Sequence, residues 1–172
     1  MSDMEKSLSA EFDTIVKAFD FDGQMATKCR ELLAVVDDEM EDFSAYYWEY
    51  WTNFSTTEQL RNPDYVAQMV KSTASYIRER MRDIKGATWR EYLKAQIIAA
   101  CKDRVPLGHL LAASTRASLR YFDIFDAKLE AGDPKHDELM KTVHDFTAME
   151  LAVTSACYVH YQKIVQREQK EG

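Results

Sequence analysis

Four histidines, three cysteines and a group of acidic residues are the side chains of this sequence that could carry chemistry. The histidines are His109, His136, His144 and His160, and none lies three or four residues from another. Helical zinc and di-iron sites need that spacing, or a Glu-x-x-His pair that is also absent, so we predict no metal site. Cys-x-x-Cys pairs, glycine-rich phosphate loops and Gly-x-Ser-x-Gly turns are absent too, and we therefore expect the chain not to be an enzyme.

Acidic residues concentrate between Asp37 and Asp42, and aromatic residues between Tyr46 and Trp51. The carboxylates fall on the outer side of a helix whose inner stripe includes Met40, so we interpret them as a solvated face. The aromatic group fills five of six successive positions. Because such a run points in every direction on a helix, we expect one part of it to be core and another to line a pocket or an interface.

Composition restricts the class of protein. Hydrophobic residues make up 46 % and aromatic residues 12 % of the 172 residues, enough to build one globular domain. The formal net charge of −7 disfavours binding to nucleic acid or to an anionic membrane, since both need a cationic face. Cys29, Cys101 and Cys157 do not suggest a disulfide framework, and no leader-like or membrane-spanning stretch occurs, so we expect a cytoplasmic protein.

Apolar periodicity predicts helices along the whole chain. Stripes with spacings of three and four run from Cys29 to Phe54, from Val66 to Ile84, from Trp89 to Ala100 and from Leu107 to Ile124. No segment alternates as a strand would, and the predicted fold class is all-α. Helix junctions are expected near Gly23, Pro63, Gly86, Pro106 and Pro134.

Capping signals mark several helix starts. Asn62 and Asp133 each place a capping side chain before a proline at the first helical position. Ser55 and Thr88 each precede a glutamate by three positions, which is the spacing of a capping box.

The last segment predicts one long helix. From Pro134 to about Gln169 nothing breaks the pattern, which implies a rod of more than ~50 Å in a domain only ~30–35 Å across. Since its apolar stripe continues past what a compact body could cover, we predict that this helix and the one starting near Pro106 form a homodimer interface. The predicted interface residues are Val143, Phe146, Met149, Val153, Ala156 and His160.

The order of segments resembles that of the bacterial sensor globins and the related protoglobins. A leading helix ends in Phe19-Asp-Phe-Asp-Gly23, Tyr46-Tyr47 stands in the place of the family's distal Phe-Tyr pair, and Val105-Pro106-Leu107 is similar to the opening of the family's G helix. The resemblance covers nearly the whole chain. It implies a globin-like helical sandwich with an extra N-terminal helix and a long C-terminal helix. It also implies one sensor domain over 1–172, with a leading helix at 1–22, a helical core at 23–133 and a terminal helix or connector at 134–172.

The histidine that ligates heme in this family has no counterpart here. It stands about six residues before the proline, and counting back from Pro106 gives Ala100, or Ala99 if the register slips by one. Neither residue can bind iron. Cys101 is adjacent to the missing position but would point about 100° away on a helix. His109 could face the same cavity, and it is the candidate for a substitute heme ligand.

We therefore expect a regulatory globin-fold domain without heme, whose pocket is lined by Tyr46, Tyr47, Ile97, Ala100 and His109. It would pass a ligand or partner signal through a helical dimer to an output domain or protein, as family members do. We expect no nucleic-acid and no membrane partner. Two alternatives stay open: a heme-based oxygen sensor that uses His109, and an all-α scaffold without a ligand in which the aromatic group is core.

Overall fold

The computed structural model describes residues 3–20, 22–54, 58–130 and 132–171, and the side chains of 8–166 within those ranges. Most of these residues are helical and none of them forms a strand, which confirms the all-α class. The helices are α1 (Asp3–Phe19), α2 (Met25–Val36), α3 (Met40–Phe54), α4 (Pro63–Arg82), α5 (Thr88–Lys102), α6 (Leu107–Ser118), α7 (Arg120–Lys128) and α8 (Pro134–Glu171), with short 3₁₀ turns at Asp37–Glu39 and Glu58–Arg61. None of the described helices is both long and apolar enough to span a membrane.

The helix junctions lie where the breakers predict them. α4 and α8 begin at their prolines, and α6 begins directly after Pro106. Gly23 connects α1 to α2 with a φ of 69°, a left-handed conformation that glycine adopts without steric strain. Local breaker chemistry therefore sets the ends of these helices.

Two predicted stripes contain an interruption that periodicity does not reveal. The stripe from Cys29 to Phe54 is divided by the 3₁₀ turn at Asp37–Glu39. The stripe from Leu107 to Ile124 is divided by Leu119, between α6 and α7. Val36 and Met40 on either side of the 3₁₀ turn are both fully buried, so the spacing of four is kept across it. The guanidinium of Arg78 donates from Nη2 to the Asp37 carbonyl at 2.7 Å, which helps to hold the turn.

Two of the predicted caps are confirmed and one is wrong. The Asn62 side chain accepts hydrogen bonds from the backbone N–H groups of Asp64 and Tyr65, and Asp133 Oδ1 accepts the N–H of Lys135 at 2.8 Å. Thr88 does not cap α5, because the helix already begins at this residue and Ala87 occupies the capping position. The other predicted capping box falls on Ser55, which lies outside the described residues.

α8 is the central element of the fold. It runs unbroken for 38 residues, about 57 Å, and packs against α1, α2, α5, α6 and α7. The stripe predicted as a dimer interface is core at Val143, Phe146, Met149 and Val153, which are buried by the chain's own helices. Ala156 and His160 are half-buried. The chain's own helices cover α8 further than its length suggests, because Val165 near its end is still buried.

Candidate ligand-binding site

A cavity of about 220 Å³ lies between α3, α4, α5, α6 and α8. Its deep end is lined by the buried residues Arg80, Tyr121 and Phe146. It reaches the surface near the exposed residues Gln59 and Asp103, between the second 3₁₀ turn and the end of α5. The site is therefore an interior space with an opening to solvent.

One wall of the cavity is aromatic because of the residue run on α3. Tyr47, Trp48 and Trp51 line the space, with the Tyr47 ring in edge contact with both tryptophans. Tyr46 and Tyr50 lie outside it: the Arg116 guanidinium lies 3.9 Å above the Tyr46 ring, and Tyr50 contacts α6. The crowded aromatic run thus divides between the cavity and the outer packing of α3.

A second set of aromatic residues extends this wall onto α4 and α5. The rings of Tyr76 and Tyr92 stack with centroids 4.6 Å apart and an interplanar angle of 23°. Trp48 Nε1 donates to Thr73 Oγ1 at 2.9 Å, which ties α3 to α4 beside them. Burial raises the pKa of Tyr76 and of Tyr92, and it raises the pKa of Tyr47 to about 12. These phenols therefore stay protonated and uncharged at neutral pH.

The deep end of the cavity contains an ion pair. Arg80 Nη1 lies 2.8 Å from Glu150 Oε1 and also donates to the Tyr76 hydroxyl at 2.9 Å. The guanidinium carbon stands 4.4 Å from the Phe146 ring centroid, a cation–π distance. Arg80 Nε is buried and has no hydrogen-bond partner among the described residues. Because a buried arginine needs compensation, this pair is the strongest electrostatic feature of the cavity.

The predicted pocket residues divide between the cavity and the surface. Tyr47, Ile97 and Ala100 line the cavity, as does Ala99. Tyr46 and His109 are not among the described residues that line it. His109 lies in the first turn of α6 and is exposed, with its Nδ1 2.9 Å from the Tyr50 hydroxyl on the outer side of α3.

The cavity does not fit heme. Drug-sized ligands occupy pockets of about 300–1,000 Å³, and a porphyrin needs more than the 220 Å³ present here. No histidine or cysteine is among the described residues that line it. Cys101 lies outside the cavity with its Sγ 3.9 Å from the Tyr158 carbonyl, and burial raises its pKa. Neither Cys101 nor His109, the two residues that could replace the heme-ligating histidine, therefore lines the cavity.

Sequence reasoning missed Arg80 and Glu150, the two charged residues of the site. A signal for both exists in the apolar stripes. Glu150 follows Phe146 by four residues and precedes Val153 by three, and Arg80 follows Ile77 by three. A charged residue at core spacing indicates a buried charge that needs a partner, although the spacing does not name that partner.

The comparisons with known proteins yield no relative. No protein-family model, no curated protein and no solved structure matches this chain. The globin-like arrangement and the relation to sensor globins thus stay predictions from the sequence.

Proposed function

We propose that this chain is a regulatory, globin-like sensory domain that works without heme and binds a small molecule in the cavity between α3, α4, α5, α6 and α8. The observation that carries the proposal is the 220 Å³ cavity itself, with its aromatic wall and its buried ion pair. Ala99 and Ala100 line it, which is where the family resemblance puts the heme ligand. Cys29, Cys101 and Cys157 are free and buried, which suits a reducing cytoplasm.

The ion pair offers a route from the cavity to the long helix. Arg80 belongs to α4 and Glu150 to α8, so a ligand beside the pair touches the contact between these helices. A ligand shifts an equilibrium between two helix packings only if it binds one of them better. A molecule that orders the pair would favour the packing in which α4 and α8 are joined, and α8 would carry that difference towards an output.

A homodimer is part of the proposal, with a different surface from the buried stripe. The outer face, as we call it, consists of uncharged residues at spacings of three and four on two neighbouring segments, α6–α7 and α8. On it, Leu119, Phe122 and Val159 are exposed by 55 %, 45 % and 46 %. The outer face comprises Gly108, Ala112, Thr115, Leu119 and Phe122, together with Ala148, Ala152, Ser155 and Val159.

The outer face suits pairing with a second copy of the chain. Its small residues allow two helices to approach closely, and its exposed large residues would be removed from water. Two helices from each protomer would bury an area above the ~1,000 Å² that a specific interface needs. The interface would then include α8, the helix that carries Glu150 of the cavity's ion pair.

The test of the proposed function is binding of toluene, a ring-sized apolar probe, followed by hydrogen exchange. Toluene in the cavity should slow exchange in α4 and α8, because a ligand that binds only the folded state stabilises it. Ala100→Trp, which fills the cavity from α5, is the matched control and should remove the effect. Unchanged exchange in the wild-type chain at saturating toluene would contradict the proposal.

A further inference from the structure

We infer that the cavity selects an uncharged phenol of one or two rings, whose hydroxyl donates a hydrogen bond to Glu150 beside its ion pair with Arg80. This inference rests on the proposed function, because it names the class of ligand for the same cavity. Four properties of the site lead to it: volume, wall, net charge and hydrogen-bonding capacity.

The volume limits the ligand to one or two rings. An apolar cavity of about 150 Å³ holds benzene, and drug-sized ligands need about 300–1,000 Å³. The 220 Å³ present here lies between those values. A substituted benzene or a compact bicyclic molecule fits this space.

The wall favours a flat aromatic ring. Tyr76 and Tyr92 stack on each other, and the indole rings of Trp48 and Trp51 line the same cavity from α3. Aromatic rings pair with one another at edge and offset-stacked geometries, which adds to the gain from burying apolar area. An aliphatic ligand of equal size would gain only the free energy of burying apolar area, without the aromatic contacts.

The charge of the site disfavours ions. Arg80 and Glu150 lie 2.8 Å apart and compensate each other, so the deep end of the cavity is neutral overall. An anionic ligand would leave one uncompensated negative charge away from water, and a cation would leave a positive one. A phenol is uncharged at neutral pH, since its ordinary pKa is about 10.

The hydrogen-bonding capacity of the pair matches a hydroxyl. A carboxylate can accept about four hydrogen bonds, so Glu150, which lines the cavity and is not fully buried, keeps capacity beyond its contact with Arg80. A phenol hydroxyl in the cavity can donate one hydrogen bond to this remaining capacity of Glu150, and it brings no charge of its own.

Calorimetric titration of the full chain at pH 7 with three matched probes tests the inference. The probes are toluene, 4-methylphenol and 4-methylbenzoate, which share a methylbenzene body and differ in the polar group. Hydrogen bonds to charged groups make 4-methylphenol bind about 10- to 100-fold more tightly than toluene. The benzoate should bind more weakly than the phenol, because its charge is not compensated in the cavity.

A double variant, Arg80→Met with Glu150→Leu, then attributes the preference to the ion pair. It replaces both charged side chains by apolar ones of similar size, a change that buried pairs tolerate. Toluene binding should persist while the preference for the phenol falls to less than about threefold. A preference that survives in the folded double variant would overturn the assignment to this pair.

The order of the wild-type affinities for the three probes tests the inference even if the double variant does not fold. Equal affinity for toluene and 4-methylphenol would overturn the phenol assignment and leave the proposed function intact. Tighter binding of 4-methylbenzoate than of the phenol would overturn it in favour of an anion site. Binding of none of the three probes would remove the proposed function, and the inference with it.

Discussion

Arg80 of α4 and Glu150 of α8 form an ion pair inside the helical core, with 2.8 Å between Nη1 and Oε1. The Arg80 side chain is only 2 % exposed, and the rings of Tyr76 and Phe146 lie within cation–π distance of its guanidinium. Burial acts to lower the pKa of Arg80, but the carboxylate of Glu150 and its hydrogen bond outweigh this, and the pKa is raised. The arginine therefore stays charged at every pH at which the protein is folded. Because this charge is buried, Glu150 must stay beside it to compensate it.

We predict that removing only Glu150 strongly destabilises the fold. Glu150→Leu leaves the Arg80 charge buried without compensation, which costs about 3–5 kcal/mol. For a chain of this length the midpoint of thermal unfolding should fall by roughly 6–20 °C. Circular dichroism during thermal and urea unfolding measures both quantities.

The double variant Arg80→Met with Glu150→Leu is the control for that prediction. Because apolar side chains of similar volume replace the pair, its free energy of unfolding should return close to the wild-type value or exceed it. A double variant as unstable as Glu150→Leu would mean that the loss comes from packing around position 150, and not from the unpaired charge.

A pH-dependent contribution is expected from Asp20, between α1 and α2. Its Oδ2 lies 2.8 Å from Lys85 Nζ, and its Oδ1 accepts the N–H of Met25 at 2.8 Å. The hydrogen bond from Lys85 lowers the pKa of Asp20, against the opposing effect of burial. A carboxyl whose pKa is lower in the folded state stabilises above its unfolded pKa of about 3.9, and loses this effect as the pH falls through the folded value.

Asp20→Asn should therefore destabilise the protein by about 1.5–3 kcal/mol at pH 7, because it weakens two charge-assisted hydrogen bonds. The difference from wild type should shrink as the pH falls below about 4. Urea unfolding at a series of pH values measures it. Asp22→Asn is the matched control, since this neighbouring carboxylate is exposed and its ion pair with Lys28 should contribute little. A difference that stays constant down to pH 3 would argue against the charged hydrogen bonds as its cause.

We predict that the protein purifies without colour and does not retain heme. Ala99 and Ala100 occupy the ligand position implied by the resemblance, and the cavity they line is too small for a porphyrin. The measurement is an absorbance spectrum after incubation with hemin and gel filtration. A persistent Soret band would contradict the prediction, and His109→Ala would then show whether His109 is the ligand.

Local features of the fold could be predicted because their causes lie within a few residues. Asn62 caps the helix that starts at Pro63, and both the cap and the proline are visible as neighbours in the sequence. The turn at Asp37–Glu39 could not be predicted, because the apolar stripe keeps its spacing from Val36 to Met40 across it. Periodicity reports which side of a segment is buried, and a single tighter turn leaves that pattern unchanged.

The site could be predicted only in part because it depends on which helices meet. Tyr47 and Ala100 were found from the order of segments in the resemblance. The contact of His109 with Tyr50 could not be predicted, because counting along a helix does not tell which neighbour its first turn faces. Arg80 and Glu150 stand 70 positions apart, and no spacing rule connects them before α4 and α8 are brought together.

The last prediction concerns the homodimer and separates the outer face from the buried stripe. Val159→Glu places a charge at a position of α8 that is 46 % exposed, so the folded protomer can keep it in water while a dimer cannot. We expect light scattering at micromolar concentration to show a dimer for the wild type and a monomer for this variant, with an unchanged circular dichroism spectrum.

Val153→Glu is the contrasting variant on the same helix. Val153 is fully buried within one chain, so the new carboxylate would lie in the core and the protomer itself should unfold or melt far below the wild type. Loss of helical signal together with loss of the dimer is therefore the expected result. If Val153→Glu instead gave a folded monomer, the buried stripe would be an interface after all, and the chain's own helices would not cover it in solution. A monomeric wild type would end the dimer proposal and with it the route for output through α8.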